Sequence, residues 1–173
     1  MNLINKKILI AMLDKKQIPY TLTNHKPLHT VSDSIDFRGK IKGIHVKNLF
    51  LKNKKNQFFL FSCFENQPVN LKNISKSLNL GNISFANEDL LNNFLGVKPG
   101  SVTPFGLLND SDRVTKFFLD KKIYYGEVVN LHPLENTSTL TISVKDFVKF
   151  LIENNVLINI FSFEDNSIID IGV

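Results

Sequence analysis

The sequence predicts an α+β fold: one domain, spanning residues 1–173 with a core of about 6–163, built on a mixed β-sheet with flanking helices. Three observations carry this. Helix-patterned and strand-patterned segments are mixed along the chain without the regular strand–helix–strand alternation of a parallel sheet. No internal repeat, low-complexity run or linker divides the 173 residues. Finally, 43% hydrophobic and 21% charged residues match a globular chain able to bury one core, which excludes wholesale disorder.

The elements follow in order. From Asn5 to Gln17, Ile8, Leu9, Met12 and Leu13 recur at helical spacing, and Pro19 stops the helix. Tyr20 to Asn24 then reads as a strand. Ser32 is a good N-cap for a short helix ending near Gly39, with Asp33 and Asp36 in its first turn. Val46 to Leu51 and Phe58 to Phe64 form a hairpin around the polar turn Lys52 to Gln57. Leu71 to Leu78 is a helix stopped at Gly81. Asn87 caps another, which Gly96 ends. Val97 to Asn109 combines Pro99, Gly100, Pro104 and Gly106 in an apolar setting, so it reads as a shaped loop rather than a linker. Val114 to Leu119 and Lys122 to Val129 read as strands around a turn at Asp120 and Lys121. Leu131 to Asn136 is a second shaped loop, Thr139 to Val144 a strand, Lys145 to Asn154 a helix and Ile158 to Phe163 a last strand. The acidic end beyond it reads as loose. With no tryptophan, phenylalanine is the main large core residue.

Several function classes fall away on composition. No apolar run reaches the roughly 18 residues of a membrane helix, and Met1 to Lys16 lacks a signal-peptide cleavage site. The expectation is a cytoplasmic protein. Cys63 is the sole cysteine, so neither a disulfide framework nor a cysteine-rich zinc site is available. The net charge of +5 is almost all lysine, since Arg38 and Arg113 are the only arginines. That balance permits nucleic-acid binding without establishing it. Dinucleotide and Walker glycine patterns, HExxH and the GxSxG elbow are all absent. His25, His29 and His45 have no metal-ligand spacing. Cys63, in the apolar run Phe61-Ser62-Cys63-Phe64, reads as buried and inert.

Three segments remain. In Val46-Lys47-Asn48-Leu49-Phe50-Leu51, strand alternation puts Lys47 with Leu49 and Leu51 on one face and Asn48 with Phe50 on the other. A lysine there either meets an anion or lies at an edge in water. In residues 96–106, Gly96, Pro99, Gly100, Pro104 and Gly106 can fix a backbone whose amides point one way, able to hold a carbonyl oxygen or oxyanion; a purely structural loop is the alternative. His132, before Pro133, is biased to extended backbone and can donate, accept or shuttle a proton.

Taken together and in this order, HKPLHTV (His25 to Val31), KNLFL (Lys47 to Leu51), VKPGSVTPFGLLND (Val97 to Asp110) and HPLENTST (His132 to Thr139) resemble the YbaK/ProX superfamily of aminoacyl-tRNA editing domains. The branch most similar is that of the free-standing Ala-tRNA(Pro) deacylases. The resemblance implies a strongly curved mixed sheet and an enzyme: a trans-editing deacylase that hydrolyses the ester joining alanine to the 3′ end of tRNA(Pro). Prolyl-tRNA synthetase is an implied candidate partner; no cofactor, metal, membrane or DNA is implied. The catalytic positions it implies are Lys47, near the terminal phosphate and ribose; Gly100, opening a loop whose amides bind the carbonyl and developing oxyanion; and His132, lining the aminoacyl pocket. Thr30, Val31, Asn48, Leu49, Phe50, Ser101, Val102 and Pro104 are the implied substrate-binding positions. No protein nucleophile is evident, and the resemblance implies hydrolysis assisted by a ribose hydroxyl of the substrate. His29 departs from the aromatic residue usual at its position, which leaves serine or cysteine as alternative substrates. A catalytically silent tRNA-binding module is a further alternative. Lys40, Lys42, Lys52, Lys54, Lys55 and Lys98 lie near these motifs and are expected to supply some contacts to phosphate.

Overall fold

The computed structural model describes residues 3–27 and 41–170. The expected helix from Ser32 to Gly39, and the positions His29, Thr30 and Val31, lie outside them. Helix α1 (Lys6–Lys15) starts where the Asn5 side chain accepts from the Ile8 amide, and it buries Leu9 and Leu13. Strand β1 (Tyr20–Asn24) follows. Strands β2 (Ile44–Asn53) and β3 (Phe58–Phe64) form the expected hairpin, in register from Val46↔Phe64 to Lys52↔Phe58. Helix α2 (Leu71–Ser77) is capped by Asn70 and leads into a short strand, β4 (Ile83–Phe85), which pairs with the far end of β2. No pattern in the chain marks β4, because three residues are too few for periodicity to register.

Helix α3 begins at Glu88–Leu90 under an Asn87 cap, continues as a π-helical turn over Leu91–Leu95 and ends at Gly96, whose φ of +65° is the left-handed conformation that closes helices. The shaped segment after it resolves into a turn at Pro99–Gly100 and a 3-10 helix, Pro104–Asn109, with proline in its first turn. Strand β5 (Thr115–Asp120) comes next. The expected strand from Lys122 to Val129 is corrected: residues Lys121–Tyr124 are a short helix, α4, and only Val128–Leu131 (β6) is extended. The buried Asp120 carboxylate accepts from the Lys122 amide at 2.9 Å, which turns the chain into α4 before a strand can continue. Leu131 belongs to β6 rather than to the loop after it.

Strand β7 (Ser138–Ser143) runs into helix α5 (Val144–Glu153). Ser143 caps that helix, and Val144, Phe147, Phe150 and Leu151 are its buried face. Strand β8 (Ile158–Ser162) pairs with β9 (Ser167–Ile169), so the acidic end is held in the sheet rather than loose.

The described strands form a nine-stranded mixed sheet in the order β1-β7-β6-β2-β3-β5-β8-β9, with β4 beside β2. The β6–β2, β3–β5 and β5–β8 pairs are parallel and the rest antiparallel. One face carries the larger core, where α1, α3, the 3-10 helix and α5 contribute Leu9, Leu95, Phe105 and Phe150. The other carries a smaller one, in which Phe61 stacks on Phe118 at 4.5 Å and α2 adds Ile74.

One feature of this topology positions the site. On the side of β2 away from β3, β6 pairs only with Ile44 and His45, and β4 only with Leu51 to Asn53. Between them, at Val46 to Phe50, the described residues provide no strand partner.

Candidate active site

The gap in the sheet falls on the Lys47-Asn48-Leu49-Phe50 segment. Alternation sends Asn48 to the larger-core face, with its register partner Ser62 on β3. The Asn48 side-chain amide donates to the Val102 carbonyl at 2.9 Å, and Ser62 Oγ donates to Asn48 Oδ1 at 2.5 Å. A carbonyl can only accept, so Nδ2 must face Val102, and Oδ1 therefore faces the serine hydroxyl. The segment Gly100-Ser101-Val102-Thr103-Pro104 is thereby tied to the open stretch of β2.

That loop is rigid by construction. Gly100 has φ +85°, a region that side chains rarely adopt. The Ser101 amide donates to the Lys98 carbonyl at 3.0 Å, and the Gly106 amide to the Thr103 carbonyl at 3.0 Å. Ser101, Thr103 and Pro104 are buried, while Gly100 itself is exposed. Asn109 pins the far end: it donates to the Leu95 and Ile4 carbonyls at 3.0 and 2.9 Å and accepts from the Ile4 amide at 2.7 Å. Sequence reasoning passed over Asn109 and Ser62. A hydroxyl in the middle of the apolar strand Phe58–Phe64 is the signal that would have found the second, since a buried hydroxyl needs a partner.

The loop carrying His132 meets the Gly100 turn. A Cβ placed on Gly100 would lie 3.2 Å from the Asn136 side-chain nitrogen, so the two turns are in contact. His132 is half-buried, and its Nδ1 lies 3.3 Å from the Ser138 carbonyl. A carbonyl only accepts, so Nδ1 is the donor in that contact. Leu134 holds a left-handed φ of +68°. Glu135 Oε1 braces the loop, accepting from Lys6 Nζ at 2.8 Å, Thr137 Oγ1 at 2.6 Å and Ser138 Oγ at 3.2 Å. Burial opposes its ionisation, but Lys6, Thr137 and Ser138 together hold its carboxyl below the usual range. His25 joins the same corner. Its amide donates to the Thr137 carbonyl at 2.9 Å, Nδ1 faces the Lys26 carbonyl at 2.8 Å and Nε2 lies 3.0 Å from Thr139 Oγ1.

The structure therefore gathers Asn48, Val102, Gly100 and the His132 loop around the gap. Lys47 projects to the opposite face, with Cys63 as its register partner, and its ammonium donates to the Gln67 carbonyl. Phe50 is 3% exposed and stacks on Phe58 at 5.9 Å, so it supports the wall from within the core, whereas Leu49 is half-buried. Burial pushes the Cys63 thiol up to about 12, with Lys47 opposing the shift and Asp120 adding to it, which leaves no thiolate for nucleophilic work. Among the described residues, no group of three or more His, Cys, Asp or Glu is placed to hold a metal ion.

A fixed glycine turn, tied to Asn48 and met by the His132 loop, gathers polar groups beside the gap, and the buried Cys63 offers no thiolate. Comparison with known proteins gives the class. The family model of the aminoacyl-tRNA editing domain matches residues 25–150, and the chain belongs to this family. Editing removes the amino acid by hydrolysing its ester, so the class is that of aminoacyl-tRNA deacylases. The chain is 33% identical over 155 residues to the prolyl-tRNA editing protein ProX of Acetoanaerobium sticklandii, covering 89% of this chain and 94% of that one. It is 32% identical over 161 residues to the prolyl-tRNA synthetase associated domain-containing protein 1 of Danio rerio, covering 92% and 88%. Its fold matches a crystal structure described as a proposed trans-editing enzyme for prolyl tRNA synthetase, with a TM-score of 0.65 over 91% of this chain and 96% of that one at 15% identity.

Proposed function

We propose that this protein is a free-standing, cytoplasmic editing enzyme, a single domain that hydrolyses the ester of Ala-tRNA(Pro) after mischarging by prolyl-tRNA synthetase. The observation that carries the reading is the Gly100 loop, tied by the Asn48 side chain to the open stretch of β2 and in contact with the loop of His132. The relative named for prolyl-tRNA editing, with the one named for association with prolyl-tRNA synthetase, supports the choice of tRNA.

In the reaction, water attacks the ester carbonyl carbon and the bond from that carbon to the ribose oxygen breaks. The water's proton ends on the leaving ribose oxygen, giving free alanine and an intact tRNA 3′ end. Backbone amides of the Gly100 loop other than that of Ser101, which donates to Lys98, stabilise the negative charge that develops on the carbonyl oxygen; one such donor is worth about 2.7–4 kcal/mol. Lys47 leaves the Gln67 carbonyl to meet the terminal phosphate or ribose. Holding the ester still supplies the remainder, and a ribose hydroxyl of the substrate orients the water. His132 lines the aminoacyl pocket, with Leu49, Ser101, Val102 and Pro104 forming or backing the wall. Thr30 and Val31 complete the pocket in this proposal. A pocket of alanine size admits the error and rejects proline, which the synthetase's own larger pocket cannot do in reverse.

The test is deacylation of Ala-tRNA(Pro), Ser-tRNA(Pro) and Pro-tRNA(Pro) by purified protein without added metal. Rapid loss of alanine alone is expected. Preference for serine would shift the specificity to another small residue, and turnover of none of the three would overturn the assignment.

A further inference from the structure

Charge is segregated on this protein. From Ile41 to Ala86 the chain carries seven lysines, at positions 42, 47, 52, 54, 55, 72 and 76, against one acid, Glu65. Among the described residues, Glu135, Glu153 and Glu164 pair with Lys6, Lys16, Lys121, Lys122 and Lys149. Among the described residues, Lys52, Lys54, Lys72 and Lys76 have no ion pair. Two clefts abut on this face, sharing Asn82 and Ile83. One, of about 460 Å³, is lined by Lys72 and Lys76 of α2; the other, of about 380 Å³, by Lys52 and Lys54 of the β2–β3 turn. Their remaining polar lining is asparagine and serine, with no carboxylate. Beside them β4 presents Phe85, 61% exposed, opposite Leu51.

Resting on the editing reading, we propose that this groove is a docking surface for the RNA leading to the scissile ester. Phosphates lie along Lys52, Lys54, Lys72 and Lys76, and an unpaired base stacks on Phe85. Strand β2 joins groove and site: Lys47 shares a face with Leu51, the register partner of Phe85, four positions along and about 14 Å away at ~3.4 Å per residue. That is on the order of four stacked nucleotides of one strand. Unneutralised lysines flanking an exposed aromatic ring are the footprint of a nucleic-acid strand, with charge tracking the backbone and the ring accepting any base. The surface thus adds Lys72, Lys76 and Phe85 to the lysines expected from the sequence, and it separates tRNA affinity from ester chemistry.

The experiment compares the wild type with a protein carrying Lys52→Gln, Lys54→Gln, Lys72→Gln and Lys76→Gln. A control of equal net charge carries Lys7→Gln, Lys15→Gln, Lys145→Gln and Lys149→Gln. Binding of uncharged tRNA is measured against salt, and kcat/KM is measured on alanylated tRNA and on an alanylated CCA trinucleotide. For the groove variant, the slope of log affinity against log salt is expected to flatten by about 3, at roughly 0.7–0.9 per lost phosphate contact. Its kcat/KM on tRNA should fall at least about tenfold, and that on the trinucleotide by less than about twofold. The control should match the wild type. Phe85→Ala should weaken tRNA binding roughly tenfold with the salt slope unchanged. An unaltered slope in the groove variant, or equal flattening in the control, overturns the proposal. So does adsorption to phosphatidylserine vesicles that the groove substitutions abolish while tRNA binding persists. If the wild type hydrolyses neither substrate, the editing reading fails, and the salt slopes alone still decide the surface.

Discussion

Replacing Ser62 by alanine isolates the bond on which the Gly100 loop depends. Ser62 is 1% exposed, and its hydroxyl makes one contact that matters for the site, the 2.5 Å hydrogen bond to Asn48 Oδ1. Alanine removes one oxygen, leaves no cavity large enough to collapse, and strips Oδ1 of its donor. An unsatisfied buried acceptor costs about 1–3 kcal/mol. The Asn48 amide is then free to rotate, and the 2.9 Å bond from Nδ2 to Val102 is lost in the rotated states. If the rotated and native states become comparable in energy, the competent loop population falls and the rate falls with it, by roughly tenfold for each ~1.4 kcal/mol of bias lost. The expected result for Ser62→Ala is a fall of about tenfold in kcat, with KM changed by less than about twofold, and a loss of about 1–2 kcal/mol in urea unfolding. Ser62→Cys, of similar shape and still a weak donor, should recover part of the rate. Asn48→Ala alone should cost at least as much as Ser62→Ala, and the double variant no more than Asn48→Ala, because both act through one bond. Additive rate losses, or full kcat in a destabilised Ser62→Ala, would refute the argument and reduce the bond to core stability.

Other substitutions test the site and its surroundings. Gly100→Ala places a Cβ at φ +85° and 3.2 Å from Asn136, and it should cost about 1–2 kcal/mol of stability and most of the activity, read by thermal melts and deacylation. Lys47→Ala should lower activity far more than Cys63→Ala, and equal losses in two folded variants would remove Lys47 from the mechanism. Cys63 should resist alkylation in the native state up to high pH and react promptly in urea, since burial holds its thiol at about 12. Burial raises the Asp120 carboxyl, so the folded protein disfavours its ionised form. Stability should therefore decline as pH rises from the unfolded-state value of about 3.9 through the raised folded value. Asp120→Asn should be at least as stable as the wild type at neutral pH, with its advantage vanishing in acid; an advantage that grows in acid would reverse the sign.

Much of the fold was legible because its signals are local. The Asn87 cap of α3 was read from the chain, the apolar spacing of α1 and the helical segment of α5 were placed to within a residue or two, and β1, β2 and β3 carry strand composition over five residues or more. What escaped was set by partners distant in sequence. Residues 121–124 have strand-like composition, yet Asp120 is buried by β8 and its carboxylate starts a helix. Ser167 to Ile169 is acidic-flanked and short, and only its pairing with β8 makes it a strand. At the site, Lys47, Gly100 and His132 were visible as residue types in suggestive settings. Ser62 and Asn109 were not, because each acts through an amide or carbonyl contributed from elsewhere in the chain.

The position of the site follows from the length of β2. At ten residues it outruns each of its neighbours on one side: β6 is four residues and β4 is three, and each takes one end. A strand edge left between them would be an unsatisfied row of amides and carbonyls, open to pairing with any other chain. Here the Ala86 amide closes on the Phe50 carbonyl at 3.0 Å, and the Asn48 side chain, rising from the larger-core face, holds the Val102 carbonyl at 2.9 Å, so a loop lies over the open stretch. In the proposed reaction that loop, held by a glycine in the left-handed region, supplies the backbone amides that receive the substrate carbonyl beside the break. On this argument, bridging the gap with a strand would leave the fold intact and abolish hydrolysis.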